Sequence, residues 1–305
     1  ADCCAAAAAG AGNTLSAVII TSLPASGTLT LGGSSVTLSQ SSPAASLGSL
    51  VYAPAANGNG TGYASIGFKV VDNGGTTNGG QNTSVTANTL TFNVTAVNDA
   101  PVNTVPGAQT ASEDTAKAIA GLSVNDVDGN LATVKLTVLN GTLGVSLAAG
   151  ASISGGANNS ATLTLSGTEA QINAALASLS YLGNANFFGT DTLTVVSTDA
   201  GGTPLSDTDS LSITVASVNE APTGANNTLT VLEDATRSFT AADFAFADAP
   251  GVSNALSAVI ITSLPAAGTL RLSGSPVTLN QSIPVASLGS LVYTPAANGN
   301  GNANA

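Results

Sequence analysis

The chain contains no histidine, no tryptophan and no methionine. Without histidine it lacks the commonest general base at neutral pH, the usual zinc and copper ligand, and the partner that a Ser-His-Asp or Cys-His arrangement requires. No enzymatic activity is expected. The two cysteines, Cys3 and Cys4, are adjacent; neighbouring cysteines rarely close an unstrained disulfide, and two thiols without histidine make a poor zinc site. The fold is therefore expected to stand without a disulfide frame. Basic residues number 5 (Lys69, Lys117, Lys135, Arg237, Arg271) against 17 acidic ones, for a formal net charge of −12. Phosphate binding needs clustered Lys and Arg, so nucleic acid is a poor partner and a divalent cation a good one. No run is long and apolar enough to span a membrane, and the start of the sequence has no basic region followed by an apolar core. A soluble chain is expected, with any secretion signal lying outside these residues.

What is present is a charged fraction of 7% beside an apolar fraction of 43%. Gly, Ser, Thr, Asn and Ala take the place of charge on the surface, a bias that suits strands joined by small-residue turns. Alternation confirms the period. In "TLTFNVTAV" (residues 89–97), Leu90, Phe92 and Val94 alternate with polar residues; "DTLTVVSTD" and "DSLSITVASV" repeat the pattern with Leu193, Val195, Leu211, Ile213 and Val215. Each reads as a strand with one buried face, and the pairing as mostly antiparallel. Asn140-Gly141 and Gly32-Gly33 read as two-residue hairpin turns. One helix is predicted, in "SGTEAQINAALASLSYL", where Thr168 and Gln171 form a capping box and Ile172, Leu176 and Leu179 follow on one face.

Repeats organise the whole chain. Residues 15–60 align without a gap to residues 256–301 and differ at 8 of 46 positions, which only recent duplication explains. The offset of 241 is close to twice the 121 separating "VNDAP" (97–101) from "VNEAP" (218–222). The unit is thus about 120 residues, giving three repeats: 1–97 without its first strands, 98–217 complete, and 218–305 without its last strands. About seven short strands per unit point to all-β, tandem immunoglobulin-like sandwiches.

The few acids cluster at matching places: "VNDAP" and "VNEAP", "SEDT" and "LEDA", "NDVDGN", "VVDNGG" and "STDAGG". A hard cation such as Ca²⁺ takes about 6–8 oxygens from carboxylates, carbonyls and Asn side chains supplied by several loops. Asp-x-Asp-Gly places two carboxylates on one tight turn. With its proline-marked junctions, acidic pair, Asp-x-Asp and a strand ending in Asp, the chain resembles cadherin repeats in the bacterial cadherin-like form of tandem surface adhesins. Residues 20–75 are also similar to repeats of chondroitin-sulfate-proteoglycan type.

That resemblance implies a calcium cluster at each junction. Carried over residue by residue, the first would use Asn98, Asp99, Asp126, Asp128 and Asp199. The second would use Glu113, Asp191, Asn219 and Glu220 with Asp243 or Asp248. The third repeat departs from the pattern, because "ADFAFADAPG" stands where a compact Asp-x-Asp-Gly is expected. Asp114 and Asp234 read as facing water, and Asp207 and Asp209 as exposed strand-edge charges. The function so implied is a calcium-stiffened extracellular stalk or fibre on a bacterial cell surface, whose partners are calcium, neighbouring repeats and other copies in a fibre. Two alternatives stand beside it: a filament subunit that exchanges strands between its incomplete terminal domains, and a glycan-binding module. The second of these is disfavoured by only 4 Tyr and 7 Phe.

Overall fold

The computed structural model describes residues 12–248 and 254–298; Cys3 and Cys4 lie outside them. The chain is all-β, built of tandem immunoglobulin-like β-sandwiches, with a short α-helix in the middle repeat. It falls into two compact units, Ala1–Asp99 and Ala100–Ala305. The boundary expected at 217/218 lies inside the second unit, where separate hydrophobic clusters stand on either side of it.

In the first unit a four-stranded sheet runs in the order Ser41–Pro43, Leu15–Ser22, Gly60–Asp72, Asn88–Val94. A three-stranded sheet (Ser34–Ser35, Thr28–Leu31, Leu50–Ala53) supplies the other layer. Ile20, Leu29, Val36 and Ile66 are buried in one cluster, with Tyr52 and Phe92 packed against it. The rings of Tyr52 and Phe92 stack with centroids 4.2 Å apart. Gly32-Gly33 is the hairpin expected: Leu31 pairs with Ser34, and both glycines have positive φ (55° and 82°), which a side chain would resist.

The middle sandwich is larger. Its six-stranded sheet runs Ser152–Gly156, Thr162–Ser166, Leu131–Thr137, Gly189–Asp199, Ser206–Ala216, Gln109–Ser112. The last pair is parallel, the exception to an otherwise antiparallel ladder. The facing layer holds Lys117–Ala118, Ser180–Gly183 and Gly141–Gly144. Leu193, Val195, Leu211, Ile213 and Val215 all point inward and are buried, as their alternation predicts. The helix forms at Glu169–Leu176 with the capping box made in full: Thr168 Oγ1 accepts from Gln171 N, and Gln171 Oε1 accepts from Thr168 N at 2.9 Å. Its Asn173 amide both accepts from Val124 N and donates to Val124 O at 2.8 Å, so a side chain completes one edge of the strand Ser123–Asn125, whose other edge pairs with Val102–Thr104.

Asn140-Gly141 is not the hairpin turn expected. Leu131–Thr137 and Gly141–Gly144 belong to different sheets, and neither Asn140 nor Gly141 has positive φ. The glycine is needed for space instead. A Cβ on Gly141 would lie 2.5 Å from the Tyr181 ring and 2.6 Å from Leu182 O. The crossing between layers is held by Asp191, whose carboxylate accepts from Leu139 N (3.2 Å), Asn140 N (2.9 Å), Thr192 N (2.8 Å) and the Tyr181 hydroxyl (3.1 Å). Burial, and then the Asp191 charge, push the Tyr181 phenol well above its ordinary range, so it donates this bond at any physiological pH.

In the third repeat, Arg237–Ser238, Leu291–Thr294, Thr269–Leu272 and Ser275–Pro276 form one sheet, and Ala258–Ile260 pairs with Ser282–Pro284. The duplicated segment keeps its detail. Tyr52 donates to Ser26 O at 2.9 Å and Tyr293 to Ala267 O at 3.0 Å. At one of the eight differing positions, Ser42 and Ile283 are both 0% exposed, and the Ser42 hydroxyl has no partner. Truncating a core Ile costs about 2–5 kcal/mol, and leaving a hydroxyl unbonded adds to that. Ile283→Ser is therefore expected to destabilise the third repeat by about 3 kcal/mol. Urea unfolding monitored at Tyr293 checks this, and an unchanged midpoint would contradict it.

Candidate metal centre

The turn Asp126–Gly129 in the second unit is the Asp-x-Asp-Gly predicted from sequence. Asp126 Oδ1 accepts from Asp128 N at 3.0 Å, Asp126 O accepts from Gly129 N at 3.1 Å, and Gly129 turns the chain at φ 67°. Asp199 is brought beside this loop by the pairing Leu131↔Asp199 and by Ala200 N donating to Asn130 O at 2.9 Å. Asp126 and Asp199 are 5% and 2% exposed, while Asp128 is half-buried. Asp199 Oδ1 accepts from Gly201 N and Leu205 N. Asp126 Oδ2 is buried with no hydrogen-bond partner, a costly state for a carboxylate oxygen unless a donor or cation meets it. Glu169, at the start of the helix, adds a carboxylate that sequence reasoning missed, accepting from Asp126 N at 3.0 Å. Asn98 and Asp99 close the first unit; Asn98 is half-buried and Asp99 exposed.

A second group forms wholly inside the second unit. Glu113 follows the parallel strand Gln109–Ser112; its N donates to Ala216 O at 3.0 Å and its Oε1 accepts from Val218 N. The side chain is thus carried to the 217/218 junction. Its Oε2 is buried with no partner, on a residue 2% exposed. Glu220 stands close enough to feel Asp114, Glu113 and Asp248: burial first, then those charges and a hydrogen bond to Asp114, raise its carboxyl above the ordinary value. Asp248 Oδ2 accepts from Asn254 N at 2.7 Å, and the Asn254 amide donates to Asn219 Oδ1. Asn219, Glu220, Asp248 and Asn254 line a concavity of about 220 Å³.

Of the residues expected at this second junction, the structure thus gathers Glu113, Asn219, Glu220 and Asp248, and it adds Asp114. Asp114 sits in a left-handed turn (φ 58°) and is exposed, as its sequence reading expects; its Oδ1 accepts from Asn186 N at 3.3 Å. Two residues are engaged elsewhere. Asp191 is saturated by the four donors of the layer crossing, so its carboxylate serves the fold. Asp243 ion-pairs with Arg237 at 2.8 Å and caps the 3₁₀ turn Ala241–Phe244 through Thr240 N at 2.8 Å. The Thr240 amide above all, with the Thr240 hydroxyl and Arg237, holds the Asp243 carboxyl below its ordinary value. The choice between Asp243 and Asp248 accordingly falls on Asp248. Asp207 and Asp209 are half-buried rather than exposed, and Asp207 accepts from Asn103 N at 2.8 Å.

Among the described residues no three acidic or thiol side chains form a ready metal cage. Two orphaned buried carboxylate oxygens, Asp126 Oδ2 and Glu113 Oε2, nevertheless fit a hard cation, and the donor set is all oxygen.

A family model described as Protein GAMETE EXPRESSED 2 domain matches residues 114–207, inside the middle sandwich. No curated protein sequence matches the chain. Solved structures it resembles include human CDH23 EC21-23 (14% identity, 92% of this chain and 79% of that one, TM-score 0.40). Others are mouse Cadherin-23 EC22-24 (12%, 93% and 76%, 0.37) and protocadherin gamma B2 extracellular cadherin domains 3-6 (14%, 93% and 60%, 0.34).

Proposed function

We propose that the chain is a non-catalytic, calcium-stiffened segment of a bacterial surface adhesin, in which tandem sandwiches act as an extracellular stalk or fibre. The observation that carries this reading is the convergence of Glu113, Asp114, Glu220 and Asp248 on one repeat junction, with a buried Glu113 oxygen unpartnered. Like charges so placed repel one another. Bound calcium would supply the positive charge that turns this repulsion into attraction. Glu113 and Asp114 are fixed by the sheet and its turn, and Glu220 by the short link before Pro222; the chain's part is to hold these oxygens in place. Pro222 restricts Ala221 to extended geometry, so the link has little slack. Within the second unit Asp126, Asp128 and Asp199 are the other ligands proposed.

The test is small-angle scattering of the chain in calcium and in chelator. A stalk stiffened at its junctions is expected to show a narrower distance distribution with a longer maximum dimension in calcium. Identical profiles in the two conditions would contradict stiffening.

A further inference from the structure

Asp126 has four hydrogen-bonding atoms, and three of them are committed. Its N donates to Glu169 Oε2 at 3.0 Å, its O accepts from Gly129 N at 3.1 Å, and its Oδ1 accepts from Asp128 N at 3.0 Å. Only Oδ2 is left, buried and without a hydrogen-bond partner among the described residues. The direction in which that oxygen points is set by the bonds that fix the rest of the residue. Two of them are local, made inside the turn Asp126–Gly129. The third comes from the helix Glu169–Leu176, 43 residues further along the chain.

That helix is a firm support. Ile172, Ala175 and Leu176 are 0% exposed and belong to the core of the middle sandwich. Glu169 and Asn173, four residues apart, share a face of the helix. Glu169 holds Asp126 N, while Asn173 holds both backbone groups of Val124, accepting from its N and donating to its O at 2.8 Å. Both polar ends of the Asn173 side chain are spent in this way. Val124 and Asp126 are thus gripped by consecutive turns of one helix, from the side opposite to the turn's own bonds.

We infer that this helix braces the Asp126–Gly129 turn, and that Glu169 is a positioning residue which raises the turn's affinity for a divalent cation through the Asp126 amide, without touching the cation. The brace rests on the proposed role of Asp126, Asp128 and Asp199 as ligands. A turn held in its binding geometry beforehand loses less freedom when the cation arrives. Removing a group that orients a metal ligand from behind costs about 10–100-fold in affinity. A carboxylate holds an amide more strongly than a neutral oxygen does, yet a neutral oxygen in the same place still makes the bond. Glutamine at this position therefore separates a brace from a ligand.

Readings at single amides of the full chain test this and keep the turn apart from the acids at the 217/218 junction. Calcium titration followed at the Gly129 amide resonance is expected to give a Kd about tenfold or more weaker in Glu169→Ala, and within about threefold of the parent in Glu169→Gln. Asn173→Ala, which removes no carboxylate, is expected to weaken binding about threefold or more. In chelator, the Asp126 amide hydrogen is expected to exchange about tenfold or more faster in Glu169→Ala and close to the parental rate in Glu169→Gln. Equal loss of affinity in Glu169→Gln and Glu169→Ala would make Glu169 a ligand and overturn the brace. Affinity unchanged in either alanine variant, or exchange unchanged in Glu169→Ala, would overturn it while leaving the proposed ligands standing. A parent whose Gly129 resonance ignores calcium would overturn the ligand assignment and the brace together.

Discussion

Millimolar calcium is expected to raise the melting temperature of the second unit by about 5–10 °C, and chelator to reverse it. A ligand that binds only the folded state at a hundred times its Kd stabilises by about 2.7 kcal/mol. For a unit of this size each kcal/mol moves the midpoint by about 2–4 °C. Glu220→Gln is expected to remove most of that gain. The same variant tests the electrostatics without metal. Burial, and then Asp114, Glu113 and Asp248, raise the Glu220 carboxyl above its ordinary 4.5, so the folded state holds this proton more tightly than the unfolded one. The stability that follows is fully present below about 4.5 and is lost as pH rises through the folded value. In chelator at pH 7, Glu220→Gln is therefore expected to melt higher than the parent, and the difference to vanish on acidification. Melting curves from pH 4 to 8 decide it; a variant less stable than the parent at pH 7 in chelator would show that the carboxylates do not repel, and an absent calcium shift would remove the junction site.

Asp191→Ala is expected to cost the middle sandwich about 3–5 kcal/mol, among the largest losses available to a single substitution here. The residue is 2% exposed, and its removal strands the Leu139, Asn140 and Thr192 amides and the Tyr181 hydroxyl. A buried donor left without an acceptor costs about 1–3 kcal/mol. Asp191→Asn keeps an acceptor oxygen in place and is expected to lose less. Neither variant is expected to change the calcium-dependent rise in melting temperature, because this carboxylate is committed to the layer crossing. Loss of the calcium response in Asp191→Asn, with the fold intact, would return Asp191 to the ligand set.

The reach of the sequence differs from one element to the next for physical reasons. Period-two alternation places Leu193, Val195, Leu211, Ile213 and Val215 correctly, because burial on one sheet face dictates that spacing. At the same spacing Leu90 is 47% exposed while Phe92 and Val94 are half-buried, since burial depends on what packs against a face and that is not local information. Asn140-Gly141 misleads because a glycine required by the Tyr181 ring looks identical in sequence to one required by a left-handed turn. Acid clustering marks the repeat junctions, yet composition cannot separate Asp248, which joins Glu220, from Asp243, which finds Arg237 six residues away. That pairing is decided by a single turn of 3₁₀ helix.

The near-identity of residues 15–60 and 256–301 bears on how the chain reaches its fold at all. Each copy's strands are shaped to fit the other's sheet almost as well as their own, and a swapped pairing differs only through eight side chains. During synthesis the first copy is finished before the second emerges, and a diverged middle repeat separates them, so the order of production sorts the strands. A whole chain refolded from denaturant has no such order, and repeat proteins misassemble by this kind of exchange. Biogenesis from one end is thus as much a part of this architecture as the sheets themselves.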